Sequence, residues 1–330
     1  MARPRVVVTD FIGGDLEHEL NVLGGAAHVE ALAAASEQDL QGRIEDADAM
    51  MVYHCISIGA ETIERLERCK LIVRCGVGYD NVDGAAARRK GIPLANVPDY
   101  GTEEVADSAI GMTLSLMRGI NFLNRRLQRG RGEWSYTQIR PVHRLRGRVF
   151  GIIGLGRIGT AAALRAKALG MDVVYYDPYV PDGRDKSLGV RRVETLEELL
   201  GMAHVVSPHC PLTEETRHII DSSAIAKMRR GGFVVNTSRG GVVDVQAVAE
   251  AIVGGQLAGA GIDVLETEPP ADDNPLIRAW RDPEHPAHDR VIVNPHTAFY
   301  CEEGLEEMRI KGSENCLRVL EGRPPRNVVN

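Results

Sequence analysis

The feature that most constrains the fold is a glycine-rich segment, Gly154-Leu155-Gly156-Arg157-Ile158-Gly159. The apolar run Val149–Ile153 before it predicts a strand, and the alanine-rich residues 160–169 after it predict a helix. Glycines at these positions permit a tight turn, close approach of a pyrophosphate and close packing of helix on strand. The helix N-terminus adds amides and positive potential for the phosphates. The segment therefore predicts a dinucleotide-binding domain.

A carboxylate follows the next predicted strand. Asp177 comes directly after the run Asp172–Tyr176. In dinucleotide-binding domains an acid at this place accepts hydrogen bonds from the adenosine ribose and repels a 2′-phosphate. Pro178 and Tyr179 come next, with no arginine to receive such a phosphate. The pattern favours NAD over NADP as the cofactor.

Short apolar runs alternate with helical patterns, and 330 residues suit two domains. The alternation predicts an α/β protein with two doubly wound parallel sheets. In the first series we predict strands at residues 6–9, 48–53, 71–73 and 92–95, with helices at 61–68 and 83–90. In the second we predict five or six strands, at residues 149–153, 172–176, 204–207, 232–236, 258–262 and 291–293.

Two longer helices are predicted outside the short alternating units. Residues 103–128 form a single helix that is apolar on much of its circumference, so it must be buried between domains, against another subunit, or both. Residues 302–320 form a final amphipathic helix.

Three side chains in the second half of the chain indicate the chemistry. Arg239, Glu268 and His296 each follow a short apolar, strand-like run. An arginine can clamp a carboxylate through two hydrogen bonds. A histidine can transfer a proton near neutral pH, and a carboxylate beside it can hold its tautomer. With a nicotinamide to carry hydride, this set suits reduction of a 2-keto acid or oxidation of a 2-hydroxy acid.

Each of these residues also has an ordinary interpretation. Arg239 could bind a cofactor phosphate, and Glu268 could be a solvated loop acid, since Glu266 lies close by in the chain. Asp263 could cap a turn. His54 could either reach the cleft or pack against its neighbours.

Composition excludes several classes of function. The formal charge of −7 argues against a broad nucleic-acid surface. The arginines at positions 125, 126, 129 and 131 are interpreted as the solvated end of a helix. The six cysteines show no metal-ligand spacing, which is typical of reduced thiols in a cytoplasmic protein. No apolar run approaches membrane-spanning length, so we expect no metal, nucleic-acid or membrane partner.

The chain resembles the D-isomer-specific 2-hydroxyacid dehydrogenases over nearly its whole length. The segments that carry the resemblance are Gly154–Gly159 with Asp177, His209-Cys210-Pro211-Leu212-Thr213 with Thr216, the run from Asn236 through Arg239 to Asp244, Gly261-Ile262-Asp263-Val264 with Glu268-Pro269, and Asn294-Pro295-His296. The resemblance implies a Rossmann NAD-binding domain, residues 101–300 with the long helix, inserted into a discontinuous flavodoxin-like substrate domain, residues 1–100 and 301–330.

The resemblance also implies residue roles. Arg239 would bind the substrate carboxylate and keto oxygen, His296 would be the acid or base, and Glu268 would hydrogen-bond His296. The implied cofactor contacts are Val77, Gly154, Gly156, Arg157, Ile158, Gly159, Asp177, His209, Cys210, Pro211, Thr216, Thr237, Ser238, Arg239, Asp263 and His296. The implied substrate contacts are Arg74, Val77, Gly78, Arg239, His296 and Phe299.

Within the family the chain is similar to the branch of the C-terminal binding proteins, which are corepressors that bind NADH. The similar segments are Tyr53-His54, Ile72-Val73-Arg74, Gly78-Tyr79-Asp80-Asn81, Glu103-Glu104 with Ala106-Asp107-Ser108, and His296-Thr297-Ala298-Phe299-Tyr300. The branch commonly has tryptophan at the position of Phe299, where an aromatic ring would wall the pocket.

Rival functions follow from the same resemblance. One is an NADH-responsive, corepressor-like binding protein; another is a relative acting on formate or phosphite, although formate dehydrogenases of this fold lack an acid at the position of Glu268. Glyoxylate, hydroxypyruvate and a phosphorylated hydroxy acid all remain open as substrates. The resemblance further implies a homodimer built on residues 103–134, the alternative being an intramolecular helix between domains.

Overall fold

The computed structural model describes residues 3–330, which divide into two compact units. Unit 1 runs through Gly101 and resumes at Tyr300–Asn330, and unit 2 is Thr102–Phe299. Unit 2 is therefore inserted into the chain of unit 1.

Unit 1 contains a parallel sheet of five strands in the order β2-β1-β3-β4-β5. The strands are β1 (Arg5–Val8), β2 (His28–Ala31), β3 (Ala49–Val52), β4 (Ile72–Arg74) and β5 (Leu94–Asn96). The helices between them are α1 (Glu17–Leu23), α2 (Ala60–Glu64) and α3 (Gly84–Arg89). This strand order is that of flavodoxin-like folds, so the predicted doubly wound sheet is confirmed.

Both faces of this sheet are covered, which explains its apolar strands. Val6, Val7 and Val8 are completely buried. The predicted helix at residues 61–68 is shorter than expected, because the helical turn ends at Glu64 and the chain continues as turns toward β4.

Unit 2 contains a parallel sheet of seven strands in the order β12-β11-β10-β9-β6-β7-β8. The strands are β6 (Val149–Ile153), β7 (Asp172–Tyr176), β8 (Arg191–Arg192), β9 (Val205–Pro208), β10 (Gly232–Asn236), β11 (Leu257–Ile262) and β12 (Val291–Val293). The order is that of a Rossmann sheet. The prediction of five or six strands was wrong, because it missed the edge strand β8. This strand consists of two arginines, so no apolar run marks it in the sequence.

The helices of unit 2 cover both faces of its sheet. They are α4 (Thr102–Arg118), α5 (Ile120–Gln128), α6 (Arg157–Ala168), α7 (Arg184–Leu188), α8 (Leu196–Met202), α9 (Ser222–Lys227), α10 (Val245–Val253) and α11 (Pro275–Arg281). Two apolar clusters result, one built around α8, α9, α10 and α11 and the other around α4 and α6.

The prediction of one helix over residues 103–128 was wrong, because Gly119 separates α4 from α5. Gly119 has φ +66°, and a Cβ there would lie 2.4 Å from Cγ1 of Ile139. Glycine is the residue that meets both conditions at least cost. Helix α4 buries residues such as Ala106 and Ala109, whereas none of the residues of α5 is buried.

The final helix α12 (Glu302–Leu320) occupies the predicted residues and belongs to unit 1. It packs on α1, where Arg309 forms an ion pair with the fully buried Glu19 at 2.6 Å. The chain then returns along β5: the amide of Asn96 donates to Asn327 at 3.1 Å, and the amide of Val329 donates to Leu94 at 2.8 Å. The tail therefore covers the free edge of β5.

Within residues 3–330, no helix is long and apolar enough to cross a membrane. The same residues hold no group of three or more His, Cys, Asp or Glu side chains arranged to bind a metal ion.

Candidate active site

The polar side chains singled out in unit 2 follow strands that end at one edge of its sheet. The parallel register pairs Asn236 with Ile262 and Ile262 with Val293, so β10, β11 and β12 end side by side. On the other half of the sheet, Ile153 pairs with Tyr176 and Pro208. Ligands of doubly wound folds bind outside the carboxyl ends of such strands, so the topology gathers these loops at a ligand-binding edge.

The glycine-rich loop joins β6 to α6, as its sequence predicts. A Cβ at Gly159 would lie 2.1 Å from the carbonyl oxygen of Gly154, so the helix can pack this closely only with glycine there. A Cβ at Gly156 would meet no atom within 4 Å. That open space beside the exposed start of α6, where Arg157 and Ile158 form the first turn, suits an approaching phosphate group.

Asp177 lies directly beside this loop. Its Oδ2 accepts a hydrogen bond from the amide of Leu155 at 2.8 Å, and its Oδ1 accepts one from the amide of Tyr179 at 2.9 Å. The two hydrogen bonds fix the carboxylate at the end of β7, which is the position that discriminates against a 2′-phosphate.

The loop after β9 carries His209, Cys210, Pro211 and Thr216. Burial lowers the pKa of His209 to about 4, so its imidazole is neutral, and burial raises the pKa of Cys210 to about 11. The hydroxyl of Thr216 donates to the carbonyl of Pro211 at 2.6 Å, which closes the loop on itself. These residues provide a preformed, uncharged wall beside the glycine-rich loop.

The hydrogen bonds of His209 define its tautomer. The hydroxyl of Ser207 donates to the carbonyl of Val235 at 3.2 Å and lies 3.0 Å from Nε2 of His209. Because that hydroxyl has only one proton, Nε2 must carry the proton that it receives. The buried Nδ1 is then a bare acceptor, with no hydrogen-bond partner within residues 3–330.

A tight turn after β10 presents Arg239. The fully buried Asn236 accepts hydrogen bonds from the amide and hydroxyl of Ser238 at 3.0 and 2.8 Å, and its own amide donates to the carbonyl of Arg239 at 2.9 Å. Arg239 Nη1 donates to the carbonyl of Ser238 at 2.9 Å. Asn236 therefore holds the turn that carries Arg239; from the sequence it was named only within a longer run and given no role, although a buried asparagine at a strand end indicates a polar turn.

The next glycine joins two parts of the site. A Cβ at Gly240 would lie 1.9 Å from the carbonyl carbon of Leu265. The turn that carries Arg239 therefore packs backbone to backbone on the loop that leads to Glu268. Any side chain at position 240 would push these loops apart.

Glu268 and His296 form a hydrogen-bonded pair. Glu268 Oε2 lies 2.7 Å from Nδ1 of His296, and Glu268 Oε1 accepts the amide of Leu265 at 2.7 Å. Their side chains are 34% and 26% exposed, so the pair is accessible from solvent. The Phe299 ring meets the imidazole edge to face, with centroids 5.9 Å apart. Glu266 instead forms an ion pair with Arg217, so the two acids have different partners.

Asp263 holds the segment that carries the imidazole. Its carbonyl accepts the amide of His296 at 2.7 Å, and its carboxylate accepts the amides of Thr297 at 2.9 Å and Ala298 at 3.1 Å. Burial raises the pKa of the Asp263 carboxyl, against these hydrogen bonds. The anchoring supports the left-handed φ of +54° at His296, a conformation that a non-glycine residue keeps only when its surroundings impose it.

Unit 1 presents a loop of its own after β4. Arg74, which is 7% exposed, donates from Nε to Asn81 at 3.2 Å and from Nη1 to the carbonyl of Cys75 at 2.9 Å. The side-chain amide of Asn96 donates from Nδ2 to the carbonyl of Val77 at 2.7 Å. Within residues 3–330 the backbone amides of Val77 and Gly78 donate to no backbone carbonyl. His54 packs against the ring of Phe11.

The residues of unit 2 fit a dinucleotide. The open space at Gly156 matches a phosphate, and the fixed carboxylate of Asp177 matches a ribose hydroxyl. Thr237 has a buried hydroxyl with no hydrogen-bond partner within residues 3–330, at the sheet edge where the ligand would lie. A buried polar atom without a partner is costly unless a ligand or water satisfies it.

Comparison with known proteins gives a consistent result. Residues 110–298 match the family model described as D-isomer specific 2-hydroxyacid dehydrogenase, NAD binding domain. The chain is 37% identical over 326 residues to D-3-phosphoglycerate dehydrogenase of Methanocaldococcus jannaschii, a match that covers 99% of this chain and 59% of that protein. It is 32% identical to C-terminal-binding protein 1 of Caenorhabditis elegans over 100% of this chain and 45% of that protein. The chain thus spans about half the length of these curated relatives.

Solved structures share the architecture. One is D-lactate dehydrogenase of Aquifex aeolicus, crystallised with NAD and lactic acid, which is 28% identical with a TM-score of 0.85. The match covers 96% of each chain.

Proposed function

This chain belongs to the D-isomer-specific 2-hydroxyacid dehydrogenase family, and we propose on that basis that it is an NAD-dependent oxidoreductase. It would interconvert small 2-keto acids and the matching D-2-hydroxy acids. The single observation that carries the proposal is the pairing of His296 Nδ1 with Glu268 Oε2 at 2.7 Å. An imidazole with one nitrogen fixed on a carboxylate is an oriented proton donor and acceptor.

The proton is handled by His296. Because Glu268 accepts a hydrogen bond from Nδ1–H, the second ring nitrogen, Nε2, is left to face the substrate oxygen. In reduction Nε2 gives its proton to the keto oxygen, and Glu268 stabilises the charged imidazolium beforehand. In oxidation the neutral imidazole removes the hydroxyl proton. Asp263 keeps the imidazole in place through three backbone hydrogen bonds.

The other proposed site residues bind and orient the substrate and the cofactor. Arg239 holds the substrate carboxylate and keto oxygen, since a guanidinium fork matches a carboxylate. When bound, the nicotinamide supplies hydride to C2 of the keto acid or accepts it from the hydroxy acid. NAD would be held by Gly154, Gly156, Arg157, Ile158, Gly159, Asp177, His209, Cys210, Pro211, Thr216, Thr237, Ser238 and Asp263.

Unit 2 is proposed as the NAD-binding domain and unit 1 as the substrate domain. In unit 1, Val77 and Gly78 offer backbone amides, and Arg74 a guanidinium, to the substrate carboxylate. Val77 is also proposed to touch the cofactor, and Phe299 would limit the substrate side chain. We further propose that the protein works in the cytoplasm as a homodimer.

The test is a panel of 2-keto acids with NADH, read by NADH oxidation. We expect turnover on at least one acid, and we expect His296→Ala to lower kcat on the order of a hundredfold or more. NADH binding, followed by its fluorescence, should survive in that variant. His143→Ala removes an exposed histidine from unit 2 as the matched control. Near-normal turnover in His296→Ala would remove His296 from the mechanism.

A second candidate is an NADH-responsive binding protein, favoured by the match to C-terminal-binding protein 1 over the whole chain. Absence of turnover across the panel, together with partner capture that depends on NADH, would favour this function over catalysis.

A further inference from the structure

A cavity of about 430 Å³ opens in unit 1, among β5, the C-terminal half of α12 and the tail. Its charged lining residues are Lys311, Arg318, Arg323, Arg326, Asp99 and Glu314. Four cations against two carboxylates give this cavity a positive balance, although the whole chain has a formal charge of −7. None of the residues proposed for hydride transfer lines it.

The cavity is built by fixed backbone. The side chain of Asn315, which is 4% exposed, donates to the carbonyl of Arg326 at 2.9 Å and accepts its amide at 2.8 Å. Next to it, the carbonyl of Asn327 accepts the amide of Asn96 at 3.1 Å. These hydrogen bonds hold the tail between α12 and β5, so the backbone of Arg326 has a fixed position at the cavity.

The charges of the lining are compensated unequally. Lys311 pairs with Asp99 at 2.8 Å, and Arg323 pairs with Glu321. Within residues 3–330, Arg318 and Arg326 form no ion pair with a carboxylate, and Arg318 is held through Nε by the carbonyl of Pro324 at 2.9 Å. Both arginines line the same cavity, so their like charges repel, and an anion bound between them would offset that repulsion.

We propose that this cavity binds a small organic dianion, a phosphate monoester or a dicarboxylate, through Arg318 and Arg326. A guanidinium offers two parallel N–H donors that match the oxygens of either group. Because Nε of Arg318 already donates to Pro324, its two terminal nitrogens are the donors left for an anion. Glu314 lines the same cavity and opposes an anion, so it sets an upper limit on affinity.

The test is isothermal titration of the full chain with inorganic phosphate and, separately, with succinate, at constant ionic strength. We expect saturable binding in the millimolar range by at least one of the two dianions, and the arm that binds identifies the ligand class. Arg318→Gln with Arg326→Gln should weaken it by about tenfold or more. Arg89→Gln, which removes one exposed cation from unit 1 outside the cavity, should bind as the wild type does.

Glu314→Gln should change the affinity in the opposite direction from the arginine variants. Damage to the fold would weaken dianion binding and could not produce this increase. Removal of this carboxylate should tighten dianion binding by roughly two- to threefold, because one repulsive charge is lost. If the Gln pair does not fold, Arg318→Lys with Arg326→Lys keeps the charge but loses the fork, and should still weaken binding. The proposal is overturned if no saturable binding occurs, if the arginine variants bind like the wild type, or if Glu314→Gln has no effect.

Discussion

His209 gives a prediction whose size follows from the structure. Its pKa lies at about 4 rather than 6.5 because the ring is buried, so the native state keeps it neutral while an unfolded chain protonates it. Between these two values the unfolded state binds more protons, and the free energy of unfolding must therefore rise with pH. The full shift corresponds to about 3 kcal/mol, at about 1.4 kcal/mol per pKa unit.

The perturbation is His209→Gln, which does not titrate but can still donate to Ser207. From about pH 7 to about pH 5, the wild type should lose about 2 kcal/mol more of its free energy of unfolding than the variant loses. Any constant cost of the substitution cancels in this comparison. His204, whose pKa burial also lowers to about 4, remains in both proteins and supplies their shared acid sensitivity.

The assay is urea unfolding of the protein without cofactor, followed by tryptophan fluorescence. Both tryptophans, Trp134 and Trp280, lie in unit 2, so the signal reports the unit that contains His209. Equal pH dependence in the wild type and the variant would show that His209 titrates alike in the folded and unfolded states. That result would refute the link between burial and acid sensitivity.

Three further outcomes are expected. Glu268→Gln should lower kcat for keto-acid reduction by about tenfold or more, because His296 loses the carboxylate that orients it; a kcat like that of the wild type would count against the pair. Asp177→Ala should reduce the preference for NAD over NADP by about tenfold, measured as the ratio of kcat/KM values for the two cofactors; an unchanged ratio would place the discrimination elsewhere. Glu19→Gln should destabilise unit 1 by about 3 kcal/mol, seen in urea unfolding by circular dichroism, because Arg309 keeps a buried charge without its partner; a change below about 1 kcal/mol would mean that water reaches the pair.

The fold was predictable because its signals are local. Apolar runs predicted ten of the twelve strands that the structure describes, and the strand Val149–Ile153 with its glycine loop is the clearest case. The strand His28–Ala31, with a histidine and a glutamate among its four residues, was missed. The edge strand Arg191–Arg192 has no such signal. The break at Gly119 depends on Ile139, which is distant in sequence, so the helical period of residues 103–128 could not reveal it.

The sequence predicted the residue types of the candidate site, but it did not predict the contacts that hold these residues in place. Motifs singled out Arg239, Glu268 and His296, and the structure sets the last two within 2.7 Å of each other. The contacts that hold them in place come from backbone geometry: Gly240 against Leu265, and the amides that Asp263 accepts. Such contacts join loops far apart in the chain and leave no periodic pattern to read.

The anchoring by Asp263 has a consequence for protein engineering. Because its carboxylate accepts the main-chain amides of Thr297 and Ala298, the backbone that carries His296 stays anchored when the ring at the neighbouring position 299 is exchanged for another side chain. If Phe299 limits the substrate side chain as proposed, a library at this one position would change which acids are accepted and leave the main-chain support of the imidazole in place.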